Sequence, residues 1–77
     1  MKGQDLRELR ERFGFSVDQV AMILNVSPAS VRRMELAEEV DQVTWAKYER
    51  AVAFLRGLLR DMSKRLTRAM REEMAPV

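Results

Sequence analysis

Seven basic side chains fall between residues 50 and 71, at Arg50, Arg56, Arg60, Lys64, Arg65, Arg68 and Arg71, against a single Asp61. A segment of that sign attracts phosphate or anionic lipid, although the commoner role of a charge run is a solvated helix face. Arg32 and Arg33 form a second basic pair, and Glu35, Glu38, Glu39 and Asp41 form an acidic stretch with no basic residue inside it. Other chemistry has little to work with. The chain has no Cys and no His, which removes thiolate ligands, the usual general base and the commonest zinc ligand. No catalytic residue, metal site or cofactor is expected, and the chain is read as a non-enzyme.

These side chains must be held by helices. Gly and Pro are scarce, and apolar residues recur at three and four spacing without sustained alternation, which predicts an all-α fold. Seventy-seven residues make one small domain, of a size that often gains stability by oligomerising. A first helix is predicted over 5–13, capped by Asp5, with Leu6, Leu9 and Phe13 on one face and Gly14 in the left-handed position that ends it. Ser16-Val-Asp-Gln19 is a capping box that opens a second helix, with Phe15 and Val20 placed as a hydrophobic staple. Asn25 ends that helix, since it tolerates positive φ. Ser27 caps a third helix and Pro28 takes its first position. Val26 and Val31 repeat the staple, Val31 and Met34 face inward, and Ala29, Ser30, Arg32 and Arg33 are left outside. The short turn between the second and third helices sets them at a steep angle. Residues 36–43 read as a loop or a weak turn of helix. Thr44 is then expected to cap a last helix, with Val43 and Tyr48 as its staple, running to about Met74.

Leu6-Arg-Glu-Leu-Arg10, Gly14-Phe-Ser16, Val20-Ala21, Leu24-Asn25-Val26-Ser27 and Val31-Arg-Arg-Met-Glu35 resemble, in type and joint spacing, the Cro and phage-repressor helix-turn-helix family, also termed XRE-type. The resemblance spans residues 6–55. It implies a lambda-repressor-like bundle of four to five helices, here with an extended C-terminal helix, whose third helix (28–36) enters the major groove of double-stranded DNA. Carried over onto this chain, the groove-facing residues are Ser27, Pro28, Ala29, Arg32 and Arg33, with Ser30 beside them. An arginine there takes guanine O6 and N7 bidentately, or in its other role contacts phosphate. Ala29 suits a thymine methyl. Ser16 and Val17 begin the helix that crosses the DNA backbone, where main-chain N–H groups suit a phosphate. Arg10 and Glu35 match a structural ion pair of the family. The chain departs from its relatives at Val17, where they carry Gln, and after Glu35, where Leu36-Ala37-Glu38-Glu39 replaces a Gly-containing loop. Glu38 and Glu39 are expected to pair with the basic C-terminal helix, of this chain or of a partner subunit.

Trp45, Tyr48, Val52, Leu55, Leu59, Met62, Leu66 and Ala69 keep three-four spacing until Glu73 ends the stripe. This is the a/d seam of a coiled coil or bundle. Ala51, Phe54 and Leu58 widen it. Residues 1–55 are read as the helix-turn-helix domain, with Trp45 to Leu55 packed on its core. Residues 56–77 are read as an oligomerisation helix whose Leu58, Leu59, Met62, Leu66, Ala69 and Met70 meet a second copy. Met62, Met70 and Met74 serve as adaptable packing. The competing roles for this tail are ordinary core, by folding back, or a basic amphipathic helix on a membrane.

Taken together, the expectation is a homodimeric, sequence-specific regulator of transcription that binds a palindromic operator, of the repressor type carried by phages and mobile elements. Its partners are double-stranded DNA and a second copy, with no membrane and no small-molecule ligand. No signal peptide and no membrane span are read, so a soluble cytoplasmic protein is expected. The alternative is a protein-interaction module that keeps the helix-turn-helix shape without reading DNA, such as a binder of host RNA polymerase or an assembly adaptor. The acidic loop and the short residues Pro28 and Ala29 favour that alternative, while Arg32, Arg33 and the capped turn oppose it.

Overall fold

A computed structural model describes residues 1–74, with side chains to Glu72. The expected stripe-ending Glu73, the packing role of Met74 and the last residues of the 56–77 segment lie outside the described side chains. Among the described residues the fold is all-helical: α1 Gly3–Arg12, α2 Val17–Leu24, α3 Pro28–Leu36 and α4 Gln42–Met74. The helix α3 packs on α1 and α2, and α4 packs on the same two helices from another side.

Local signals set most boundaries. The Ser16 hydroxyl accepts the Gln19 backbone N–H at 3.1 Å, and the Ser16 N–H donates to Gln19 Oε1 at 2.8 Å, so both halves of the capping box form. Phe15 and Val20 beside it are buried. Asn25 ends α2 at φ 58°, and Gly14 follows α1 at φ 74°. Both left-handed positions hold the residue types that tolerate them. Ser27 Oγ accepts the Ser30 N–H at 3.2 Å, with Pro28 in the first turn. Val31 is fully buried, but Val26 stays 39% exposed, so the second staple does not close as the first does.

Two helix starts differ from expectation. The first helix begins at Gly3 rather than at Asp5, and no side chain caps it. Its leading N–H is satisfied across the fold instead, donating to the Ala37 carbonyl at 3.0 Å. Gly3 is buried there, and a Cβ at this position would overlap the Met34 carbonyl oxygen and sit 2.7 and 2.8 Å from those of Ala37 and Glu35. The absence of a side chain lets the start of α1 rest directly on the end of α3. Asp5 falls in the first turn, where its charge still suits the helix dipole. The last helix is capped by Asp41, not Thr44: Asp41 Oδ1 accepts the Thr44 N–H at 2.7 Å. Asp41 stands three residues before Thr44, and its carboxylate is the stronger acceptor. Val43 is accordingly helical and 64% exposed, not a staple. In the loop, Val40 is buried and donates its N–H to the Met1 carbonyl at 2.6 Å.

The core comprises Leu6, Phe15, Val20, Ala21, Val31, Val40, Tyr48, Ala51, Val52 and Leu55, with Leu9, Phe13, Ile23, Leu24, Met34 and Trp45 packed around it. Ala21 and Ala51 are small and buried, which permits the close approach of α2 and α4. Burial on α4 stops at Leu55. The helix continues through Gly57 without a break for 33 residues in all, about 50 Å at 1.5 Å per residue, and gives the molecule its 59 × 20 × 18 Å extents. From Arg56 to Glu72 every residue is exposed. Among the described residues no helix is long and apolar enough to cross a membrane.

Candidate nucleic-acid interface

The outer face of α3 is backed by an inner face tied to three other parts of the chain. Glu35, in the last turn of α3, is buried. Arg10 of α1 grips its carboxylate bidentately, Nε–H to Oε2 and Nη2–H to Oε1, both at 2.9 Å. The remaining Arg10 amine, Nη1, donates to the Phe15 carbonyl at 2.9 Å, just ahead of α2. The Tyr48 hydroxyl of α4 donates to Glu35 Oε2 at 2.7 Å. The hydrogen bond to Glu35 raises the Arg10 pKa. Burial first, and then the hydrogen bond to Glu35, raise that of Tyr48. Among the described residues no buried side-chain nitrogen or oxygen lacks a partner, so this polar cluster is fully satisfied and fixes the tilt of α3 against the body. The Arg10–Glu35 pair forms as the resemblance implied. Helical spacing alone does not reveal the role of Tyr48. Its one signal is a phenol in an otherwise apolar stripe, since a buried Tyr needs a partner for its hydroxyl.

On the opposite face, Ser27, Ala29, Arg32 and Arg33 are exposed, and Pro28 and Ser30 are half-buried. Ser27 and Ser30 share a hydroxyl–hydroxyl hydrogen bond of 3.0 Å, and Arg33 Nη2–H reaches back to Ser30 Oγ at 3.3 Å. Arg33 is thus drawn toward the start of α3. Arg32 forms no hydrogen bond or ion pair among the described residues.

At the start of α2, Val17 turns its side chain into the core, and what remains for a ligand there is main chain. The Ser16 N–H is already used by Gln19, so the first-turn donors left over are the N–H groups of Val17 and Asp18. The exposed Asp18 carboxylate stands beside them. Elsewhere two expected charge roles change. Glu39 pairs with the N-terminal ammonium of Met1 in the same chain, rather than with the basic helix. Arg56 lies 4.0 Å over the Phe13 ring, a cation–π contact that takes one of the seven basic residues out of the free set. The residues expected to meet a second copy, Leu58, Leu59, Met62, Leu66, Ala69 and Met70, are all exposed on α4 beyond the core. They are well separated in sequence from the α3 face.

Two helices of eight and nine residues, a three-residue capped turn, a basic outer face on the second helix and a buried brace behind it make a surface shaped for a groove. A family described as helix-turn-helix domain is matched over residues 3–66, which takes in α1 to α3 and α4 as far as Leu66. No curated protein and no solved structure matches the chain.

Proposed function

The chain belongs to this helix-turn-helix domain family, and from that premise we propose that it is a sequence-specific double-stranded DNA-binding regulator of transcription. The domain suggests DNA binding by itself. The finer reading is a repressor of the phage or mobile-element type that occupies a palindromic operator as a homodimer. In it, Arg33 and Ala29 read base edges, Arg32 and the serines at 27 and 30 fix the register, and the first-turn N–H groups at 17 and 18 take a phosphate. Residues 1–55 carry the DNA and 56–77 carry the second copy.

The observation that supports this most is the outer face of α3. It exposes two adjacent arginines and a methyl-sized Ala29, it is braced from behind through Glu35, and no part of the described chain covers it. The free basic side chains of α4 add salt-dependent attraction to phosphate. A gel shift against random duplex pools over a salt series tests the reading. Selection of a palindrome supports it, and absence of DNA binding at low salt removes it.

One observation favours the second reading, a protein-interaction module. Leu36 is 79% exposed at the end of α3, beside the exposed Glu38 and Glu39, and such an apolar residue with an acidic rim suits a protein surface better than a phosphate backbone. The same gel shift separates the two.

A further inference from the structure

The orientation of the second copy can be taken further, resting on the dimer part of that reading. At 100° per residue along α4, the buried residues Tyr48, Ala51, Val52 and Leu55 and the bare seam Leu59, Met62, Leu66 and Ala69 point in mean directions that differ by only about 10°. The globular body and the unpartnered apolar stripe therefore lie along one side of the same unbroken helix. That geometry decides what can cover the stripe. In a parallel pair the second α4 would run about 10 Å from the first along its whole length. Beside Tyr48 to Leu55, that space is filled by α1 and α2. By symmetry the body of the second copy would claim the same volume.

We propose that the two distal helices pair antiparallel, in the register that sets Leu59 against the second copy's Ala69 and Met62 against the second copy's Leu66. Each large residue then faces a smaller or more adaptable one, whereas a parallel pair would stack Ala69 on Ala69 and leave a gap in that layer. Leu58 and Met70, 46% and 54% exposed, flank the seam and widen the buried area. The bodies stand at opposite ends of a helical bar and do not meet each other, and each distal helix comes opposite the other copy's Arg56 at Glu72, at the edge of that body. With the two-fold axis near residue 64, the two Val52 positions are about 36 Å apart along the bar, close to the ~34–36 Å of one duplex turn that separates operator half-sites. Arg65 flanks the two-fold axis and extends its charge into solvent beside its own copy, so the dimer tightens as salt rises.

The chain has no cysteine, so introduced thiols report cleanly. Leu59→Cys and Ala69→Cys alter exposed positions and leave the monomer fold intact, which circular dichroism checks. Under oxidation the double variant L59C/A69C is expected to double its mass on a non-reducing gel, through two 59-to-69 bridges, while each single variant stays at the mass of one chain. Bridging of either single variant to itself would overturn the antiparallel arrangement but keep the dimer. A light-scattering mass of one chain for the unsubstituted protein would remove the dimer reading and this one with it. If the seam variants weaken association, spin labels at Ala53→Cys, outside the seam, give a second measurement. Antiparallel pairing puts them more than about 33 Å apart, and a parallel pair would put them within two helix diameters, roughly 20 Å.

Discussion

Tyr48 donates its hydroxyl to Glu35 across 2.7 Å, and this contact joins the long helix to the helix that carries the proposed DNA-facing residues. The two lie thirteen positions apart in sequence, and Arg10 completes the cluster from α1. Tyr48→Phe keeps the packing and leaves Glu35 with Arg10 alone. It is expected to destabilise the fold by about 1–3 kcal/mol, read as a lower urea midpoint with an unchanged slope.

The same residue gives the fold an alkaline limit. Its pKa is higher in the fold than in the open chain, so the folded state retains the proton longer and stability falls as pH rises. The contribution is whole below about pH 10, the ordinary tyrosine value, and declines above it. Denaturation midpoints measured from pH 8 to 11 should fall at the top of that range in the unsubstituted protein and less so in Tyr48→Phe.

Asp41 sets a dependence at the acid end. Hydrogen bonds from Thr44, the backbone N–H first, hold its carboxyl below its ordinary value. The folded state therefore releases this proton more readily than the open chain does. The stabilisation is present above the ordinary Asp value near pH 4 and is lost as pH falls through the folded value. Asp41→Asn retains a capping oxygen without the titration. Its midpoint should vary less between pH 5 and pH 2 than that of the unsubstituted protein, and Asp41→Ala should be less stable than both at pH 7.

Gly3 and Gly57 should respond in opposite senses to the same change. Gly3→Ala places a methyl group against the Met34 and Ala37 carbonyls and must push α1 off α3, so a clear loss of thermal stability is expected. Gly57 sits inside α4, and a methyl group added there would meet nothing within 4 Å. Gly57→Ala should raise stability by about 0.5–1 kcal/mol. Paired thermal melts decide both.

Arg32 and Arg33 are expected to separate by role. Arg33, drawn toward the start of α3 by Ser30, should read a base: Arg33→Ala is expected to cost about 1–3 kcal/mol on the selected site and to relax preference at one position. Arg32→Ala should weaken all duplexes alike and reduce the slope of log K against log salt by about 0.9 for each half-site occupied. Fluorescence anisotropy with selected and scrambled duplexes, over a salt series, reads both quantities.

The elements legible in the sequence were those fixed by neighbours along the chain. The capping box at Ser16 and Gln19, the left-handed Asn25 and Gly14 and the Ser27-Pro28 start are contacts over three or four residues, and they appear where their side-chain chemistry requires. Gly3, Val40 and the Tyr48 hydroxyl were not legible, because each meets its partner across the fold. A glycine near the start of a chain has no local reason to be buried, and a valine in an acidic loop has no periodicity to mark it. The start of α4 fell between these cases: Asp41 and Thr44 are both competent cap types, and the stronger acceptor, the Asp41 carboxylate, takes the first-turn N–H. In the candidate interface, the exposed placement of Ala29, Arg32 and Arg33 followed from helical spacing, whereas the inward turn of Val17 and the capture of Arg56 by Phe13 depended on how the helices cross.

Because a single uninterrupted α4 serves both the body and the overhang, the two are locked in phase. Inserting one residue near Gly57 would swing the overhang by about 100° about its axis and aim its oily edge away from the direction the body defines. Inserting seven would restore the bearing to within roughly 20°. Among related chains of differing length, this helix should therefore tolerate whole heptads and resist single-residue indels, much as a screw thread accepts only complete turns.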